Sequence, residues 1–316
     1  MKERLLLAAL LFVTLLPAAG FADDRYFDAN GIRIRYVEQG AGEPVLLLHG
    51  RGGTLSTWER SGVMESLAKD YRVIALDQRG HGKSGKPHNP KQYGAEMALD
   101  VVRLLDHLGI DRAHIVGYSL GANIVAQLLT IRPDRFLTAT LVGSAGRISW
   151  TAEDEAMFEK QALETERGDA KPDFDPYAIA AVVRSFRQQV ITPEQVAAVR
   201  VPTLGVAGSA DPFLTSLQEV RRLRPGMKLV VVEGATHGGV LRRPEFIAAL
   251  REFVVAHRQR GLQSRSVWPE GGLWSQRIAD MGVDVRPNSA LERTGVKRGP
   301  RLAAARSSWP AAQRDR

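Results

Sequence analysis

Six short apolar runs, each four to seven residues long and rich in Val, Leu and Ile, punctuate the middle of the 316-residue chain at 44–48, 71–76, 113–116, 136–142, 202–207 and 228–232. A strand with one wet face alternates apolar and polar residues. Near-continuous runs instead suit strands buried on both faces of a parallel sheet. Helical patterns lie between them. Over 95–108, Met97, Val101, Leu104, Leu105 and Leu108 fall on one face and Gly109 stops the pattern; 120–131 and 246–256 are likewise one-faced. Ahead of the runs, 25–28 and 32–37 flank Asn30-Gly31, a dipeptide whose residues tolerate the positive φ of a tight hairpin. The pattern specifies an α/β fold: a doubly wound, mostly parallel sheet opened by an antiparallel hairpin.

One stretch breaks the alternation. Residues 147–199 carry no strand pattern, only amphipathic pieces holding Trp150, Met157, Phe158, Phe174, Tyr177 and Phe186. An insertion between two sheet strands reads as a small helical cap, which divides the core into 23–146 and 200–257. The two ends are of a different character. Lys2 and Arg4 precede an apolar run over 5–16 and a small-residue stretch ending at Ala22. That layout is a cleavable signal peptide over 1–22, with a run too short for a spanning helix, so the expected location is periplasmic or secreted. From 258 to 316 the periodicity fades into Arg, Gly, Pro and Ser, the composition expected of a basic, disordered tail.

The formal charge of +8 is misleading as a sign of nucleic-acid binding. Twelve Lys/Arg against five Asp/Glu put +7 into 258–316, and 1–22 carries +1, so the body is neutral. With no cysteine there is neither a disulfide framework nor thiolate chemistry.

Chemistry gathers where strands are expected to end. Gly117-Tyr118-Ser119-Leu120-Gly121 stands between a strand pattern and a helix pattern. A sharp turn there needs small neighbours and projects the Ser119 hydroxyl clear of the sheet, above a helix N-terminus that favours negative charge. Taken alone, the motif leaves a glycine-rich turn with a capping serine as the lesser alternative. His49-Gly50-Arg51-Gly52-Gly53 follows the first buried run, and its backbone N–H at Arg51, with that of Leu120, suits an oxyanion hole. His49 itself reads as a residue fastening that loop. Asp211, in Gly208-Ser209-Ala210-Asp211-Pro212, and His237, in Gly234-Ala235-Thr236-His237-Gly238, each leave the carboxyl end of a later run. Singly they are a turn residue and a surface histidine; jointly, in the order Ser, Asp, His, they form a candidate catalytic triad. Tyr118, Trp150, Phe158 and Phe213 are candidate pocket residues, with cap packing the alternative for the insertion aromatics.

Over residues 26–256 the chain resembles the α/β-hydrolase fold family, in its compact bacterial esterase, lactonase and C–C hydrolase form. The supporting loop is Asp77-Gln78-Arg79-Gly80-His81-Gly82-Lys83-Ser84. The resemblance implies that Asp77, Arg79 and His81 are structural, and a Ser nucleophile argues against the epoxide-hydrolase and haloalkane-dehalogenase branches. The basic tail and the H-G-R-G-G loop depart from the usual pattern. The implied activity is cleavage of a small ester or lactone through an acyl-enzyme, with no metal or organic cofactor, no nucleic-acid partner and no stable membrane insertion after signal cleavage. A C–C (β-diketone) hydrolase, a cofactor-free perhydrolase, and a ligand-binding receptor or pseudoenzyme on the same fold stay open. Oligomeric state is not legible.

Overall fold

The computed structural model describes residues 23–258. The expected leader and all of the expected tail except Arg258 lie outside the described residues.

Among the described residues, eight strands form one sheet: β1 (Arg25–Asp28), β2 (Arg33–Gln39), β3 (Pro44–Leu48), β4 (Arg72–Leu76), β5 (Ala113–Tyr118), β6 (Phe136–Val142), β7 (Thr203–Gly208) and β8 (Lys228–Val232). Their order is β1-β2-β4-β3-β5-β6-β7-β8; β1–β2 and β2–β4 are antiparallel and every later pairing is parallel. The hairpin turn has Asn30 at φ 59° and Gly31 at φ 81°, as an Asn-Gly turn requires. Because β3 to β8 all run the same way, the loops that leave them share one edge.

Helices cover both faces: α1 (Ser56–Arg60), α2 (Val63–Ala68), α3 (Ala95–His107), α4 (Leu120–Ile131), α8 (Leu214–Leu223) and α9 (Pro244–Ala256), with α5 (Ala152–Glu166), α6 (Pro176–Arg184) and α7 (Pro193–Ala198) inserted between β6 and β7. The period-2 geometry of a strand sorts the core into two layers. Leu46 and Leu48 of β3, Ile74 and Leu76 of β4 and Ile115 of β5 join the cluster under α3 and α4. Val45, Leu47, Val73, Ala75 and Val116 face the other way, into the cluster of Trp58, Leu67, Phe246 and Leu250 from α1, α2 and α9. Each buried Leu contributes about 1.5–3 kcal/mol relative to exposure.

Two sequence expectations need correction. The run 228–232 is not buried on both faces: β8 is the sheet's edge, and Val231 is 44% exposed, since apolar composition does not distinguish an inner strand from a last one. Helix α4 is not one-faced; every residue but Asn123 is buried. Its outer side lies under the insertion, where the Gln127 side-chain amide donates to Gln188 O. Helices α1, α2 and α8 escaped notice because five to ten residues hold too few turns for a 3.6-residue period to stand out.

The insertion closes on its own local signals. Thr151 and Asp154 form a capping box at α5, Asp175 accepts from the Tyr177 and Ala178 N–H groups with Pro176 at the first position of α6, and Thr192 and Gln195 box α7. Arg184 of α6 reaches both Glu159 and Glu166 of α5, binding the two helices. Among the described residues no helix is long and apolar enough to cross a membrane.

Candidate active site

Ser119 sits between β5 and α4 at φ 54° and ψ −113°, a backbone region that costs a non-glycine residue strain. The flanking glycines explain how the turn is made. A β-carbon on Gly117 would lie 2.3 Å from Gly121 O, and one on Gly121 would lie 2.2 Å from Leu48 O. Only hydrogen at both positions lets strand, turn and helix cross this closely. The Ser119 N–H is held by Val142 O at 2.8 Å, fastening the turn to the neighbouring strand.

The loop after β3, residues 49–53, presses on the same spot. A β-carbon on Gly50 would come within 3.0 Å of the Tyr118 ring and 3.2 Å of Ser119 Cβ. Gly53 N–H donates to Gly50 O at 3.0 Å, turning the loop. The hydrogen bonds of the described residues leave the Arg51 and Leu120 N–H groups without a protein acceptor. That is the condition for two donors reserved for a developing oxyanion.

The acid and the base arrive on the loops after β7 and β8. Gly208 makes their meeting possible: a β-carbon there would sit 1.8 Å from Ala235 O. Asp211, with its side chain fully enclosed, faces His237, whose side chain is 25% exposed. His237 Nδ1 lies 2.9 Å from Asp211 Oδ2 and 3.1 Å from Oδ1, and His237 Nε2 lies 3.0 Å from Ser119 Oγ. With Asp211 ionised, Nδ1 carries the proton and donates, leaving the Nε2 lone pair for the serine hydroxyl. Asp211 also fills the turn role open to it, since Oδ1 accepts the Phe213 N–H at 2.9 Å. The chain thus brings together Ser119, Asp211 and His237, which lie up to 118 residues apart.

Of the candidate pocket residues, two stand at this site. The Tyr118 ring lies 5.1 Å from the His237 ring and the half-exposed Phe213 ring lies 4.9 Å from it. Burial lifts the Tyr118 phenol to about 12, so it stays protonated. Trp150 and Phe158 pack against one another within the insertion. They stack at 5.3 Å, with Phe158 edge-on to Phe186, and the Trp150 indole N–H donates to Glu155.

Sequence reasoning missed Gly143, which follows β6 at φ +69°. A β-carbon there would fall 2.9 Å from His237 Cε1 and 3.2 Å from Asp211 Oδ2. Its place at the end of a buried run was the available signal, since the other site loops follow such runs too.

The other motif residues are spent on architecture. His49 Nε2 accepts from Gln78 N–H at 3.0 Å and its Nδ1 lies 2.8 Å from Gly50 O, which places the proton on Nδ1. Asp77 takes the Leu55 N–H, the Lys83 N–H and the Arg35 guanidinium. Arg79 grips Asp100 with two bonds, 2.7 and 2.8 Å, and reaches Ala29 O and Gln92 O. His81, packed on His49 at 5.1 Å, directs Nδ1 to Arg79 O; burial, then the neighbouring His49, push it down to about 3.

Comparison with known proteins agrees with this fold. Residues 43–174 match the family model described as alpha/beta hydrolase fold. The chain adopts the α/β-hydrolase fold. It is 42% identical over 126 residues (39% of this chain, 32% of that protein) to the dihydrolipoyllysine-residue acetyltransferase component of an acetoin cleaving system from Cupriavidus necator. It is 27% identical over 250 residues (67% of this chain, 90% of that one) to a putative carbamate hydrolase, RutD, from Caulobacter. The solved structure of Est816, described as an N-acyl homoserine lactone degrading enzyme, superposes with a TM-score of 0.61 at 28% identity, covering 73% of this chain and all of that one. The chain spans between a third and a half of the length of the first curated relatives it matches.

Proposed function

We propose that the protein is a serine hydrolase that cleaves a small carboxylic ester or lactone. The observation that carries this reading is the single file Asp211–His237–Ser119, with bonds of 2.9 and 3.0 Å, beneath two N–H groups without protein acceptors. In the proposed reaction His237 Nε2 takes the Ser119 proton as Oγ attacks the carbonyl carbon. The Arg51 and Leu120 N–H groups hold the oxyanion. The tetrahedral adduct collapses as His237 returns the proton to the leaving oxygen, and water, deprotonated by the same nitrogen, then releases the acid. Asp211 orients the imidazole and balances its transient positive charge. No step calls for a metal or an organic cofactor. The lactone-degrading description of Est816, a structure matched over its whole length, supports placing lactones beside esters.

The test is covalent labelling by a fluorophosphonate probe, together with hydrolysis of short p-nitrophenyl esters and lactones. The expected result is one label, at Ser119, and loss of both label and hydrolysis in Ser119→Ala. An unlabelled wild-type protein overturns the reading and favours a binding protein on this fold. We also propose export of the chain. N-terminal sequencing of the protein from a periplasmic fraction should begin after Ala22, and a start at Met1 would contradict it.

A further inference from the structure

Arg51 projects from the loop whose backbone faces Ser119, and its side chain meets a neutral partner. Most arginines near the core of this protein answer a carboxylate: Arg79 has Asp100, Arg35 has Asp77 and Asp24, Arg184 has Glu159 and Glu166. Arg51 has no acidic partner among the described residues. One Nη donates to the side-chain oxygen of Gln161 on α5 at 3.0 Å, a neutral acceptor, and the rest of its five donors are uncommitted.

Arg51 is open to solvent, yet enough protein surrounds the guanidinium that burial alone holds it below its ordinary value. Its charge is felt at the fully buried His81 beneath the loop. Phe174 of the insertion stands close by, its ring 3.7 Å from where a β-carbon of Gly52 would be. The side chain therefore spans from the oxyanion loop to the insertion, on the edge that carries Ser119. A guanidinium with free donors and no carboxylate beside it is available to an incoming anion.

We infer that Arg51 is the binding site for a carboxylate on the substrate, so that the ester or lactone cleaved at Ser119 is the monoanion of a short dicarboxylic acid derivative. This rests on the serine-hydrolase reading for the scissile bond, though the anion site itself does not. A carboxylate fits better than a phosphate dianion: one cation stands against one charge, and the planar fork of guanidinium matches a planar carboxylate. Gln161 fixes the fork by one edge while leaving its charge unanswered.

The test compares p-nitrophenyl hemiglutarate with p-nitrophenyl valerate, which share a five-carbon acyl chain and differ in the terminal carboxylate. Wild-type kcat/KM should favour the anion by roughly 10- to 100-fold, the range for a charge-assisted bond. Gln161→Glu gives Arg51 an internal carboxylate and should remove most of that preference through KM, while Gln161→Leu, which adds no charge, should keep it. Equal rates on the two esters, or a preference unmoved in Gln161→Glu, overturns the inference while leaving the hydrolase reading intact. A second measurement does not depend on turnover. Calorimetry on Ser119→Ala protein should show monomethyl glutarate binding at least about 10-fold more tightly than dimethyl glutarate, with the difference lost when Gln161→Glu is added. No difference there refutes the anion site. Anion binding by a wild-type protein that no fluorophosphonate labels would instead refute the hydrolase.

Discussion

Two groups of histidines share the carboxyl edge of the sheet, and they are used in opposite ways. His49 and His81 are buried to within 1% of complete enclosure. Their Nδ1 atoms face backbone carbonyls, and burial keeps both neutral. His237 lies on a loop with a quarter of its side chain in solvent, one nitrogen on a carboxylate and the other on a serine hydroxyl. The difference is one of commitment. A histidine whose proton is fixed by a carbonyl and whose surroundings forbid charge can hold a loop but cannot shuttle protons. One that faces a buried carboxylate can take up a proton at Nε2 and give it back.

The largest effect should follow from breaking the second arrangement. Asp211→Asn places an amide opposite Nδ1, favouring the tautomer with Nε2 protonated and withdrawing the charge that balances the imidazolium. A fall in kcat on the order of 10⁴ is expected, by analogy with the best-studied triad. Ser119→Ala should be comparably severe, and the double variant should be little worse than either, because the residues act as a unit. Steady-state kinetics on a p-nitrophenyl ester measures all three. Near-native turnover in Asp211→Asn would remove Asp211 from the mechanism.

The counterpart on the architectural side is Asp100→Asn. Asp100 and Arg79 are 2% and 3% exposed, and neutralising the acid leaves a buried guanidinium without its bidentate partner. Loss of about 3 kcal/mol is expected, at the lower end for a broken buried pair because Glu96 lies 3.7 Å from Arg79. Urea unfolding reads this directly. Activity per folded molecule should change little, and a large drop in kcat at full folding would blur the division drawn here.

Gly143→Ala sharpens the comparison from the inside. The new methyl meets His237 and Asp211 within 3.2 Å, and the backbone there is left-handed. A shift of the imidazole by a fraction of an ångström should lower kcat by roughly 10²-fold, with a smaller change in thermal stability. An effect on stability alone would mean that the pair adapts and Gly143 is only a turn.

How much of this was readable in the chain depends on distance along it. The strands were legible because burial on both faces writes a continuous apolar run, and the elbow at Ser119 because its small residues are adjacent in sequence. Asp211 and His237 were legible as residues leaving such runs. What could not be read were contacts between distant segments: Gly143 against His237, Gly208 against Ala235, Gln161 against Arg51. A glycine whose constraint comes from a residue dozens of positions away looks like any other glycine. For a related reason, composition did not reveal that Trp150 and Phe158 stack on one another.

The smallest expected effect concerns pH and the first pair of histidines. An unfolded histidine binds its proton near pH 6.5, whereas native His81 resists it down to about 3. Between these values the unfolded chain holds a proton that the native state refuses, so stability rises with pH across the window and falls as the solution is acidified. The slope from one such group approaches about 1.4 kcal/mol per pH unit once the unfolded histidine is fully charged. His49 is displaced in the same direction, and the two rings stand 5.1 Å apart, so the first to be protonated further opposes the second. His81→Gln keeps a donor for Arg79 O but removes the titration. Urea midpoints at pH 7, 5.5 and 4.5 should converge for wild type and variant as acid is added, because only the wild type loses this contribution. His237→Gln offers the functional counterpart within the comparison, because it should abolish activity. Parallel slopes in wild type and His81→Gln would show that His81 takes up its proton without opening the fold, and the contrast between buried and poised histidines would then rest on geometry alone.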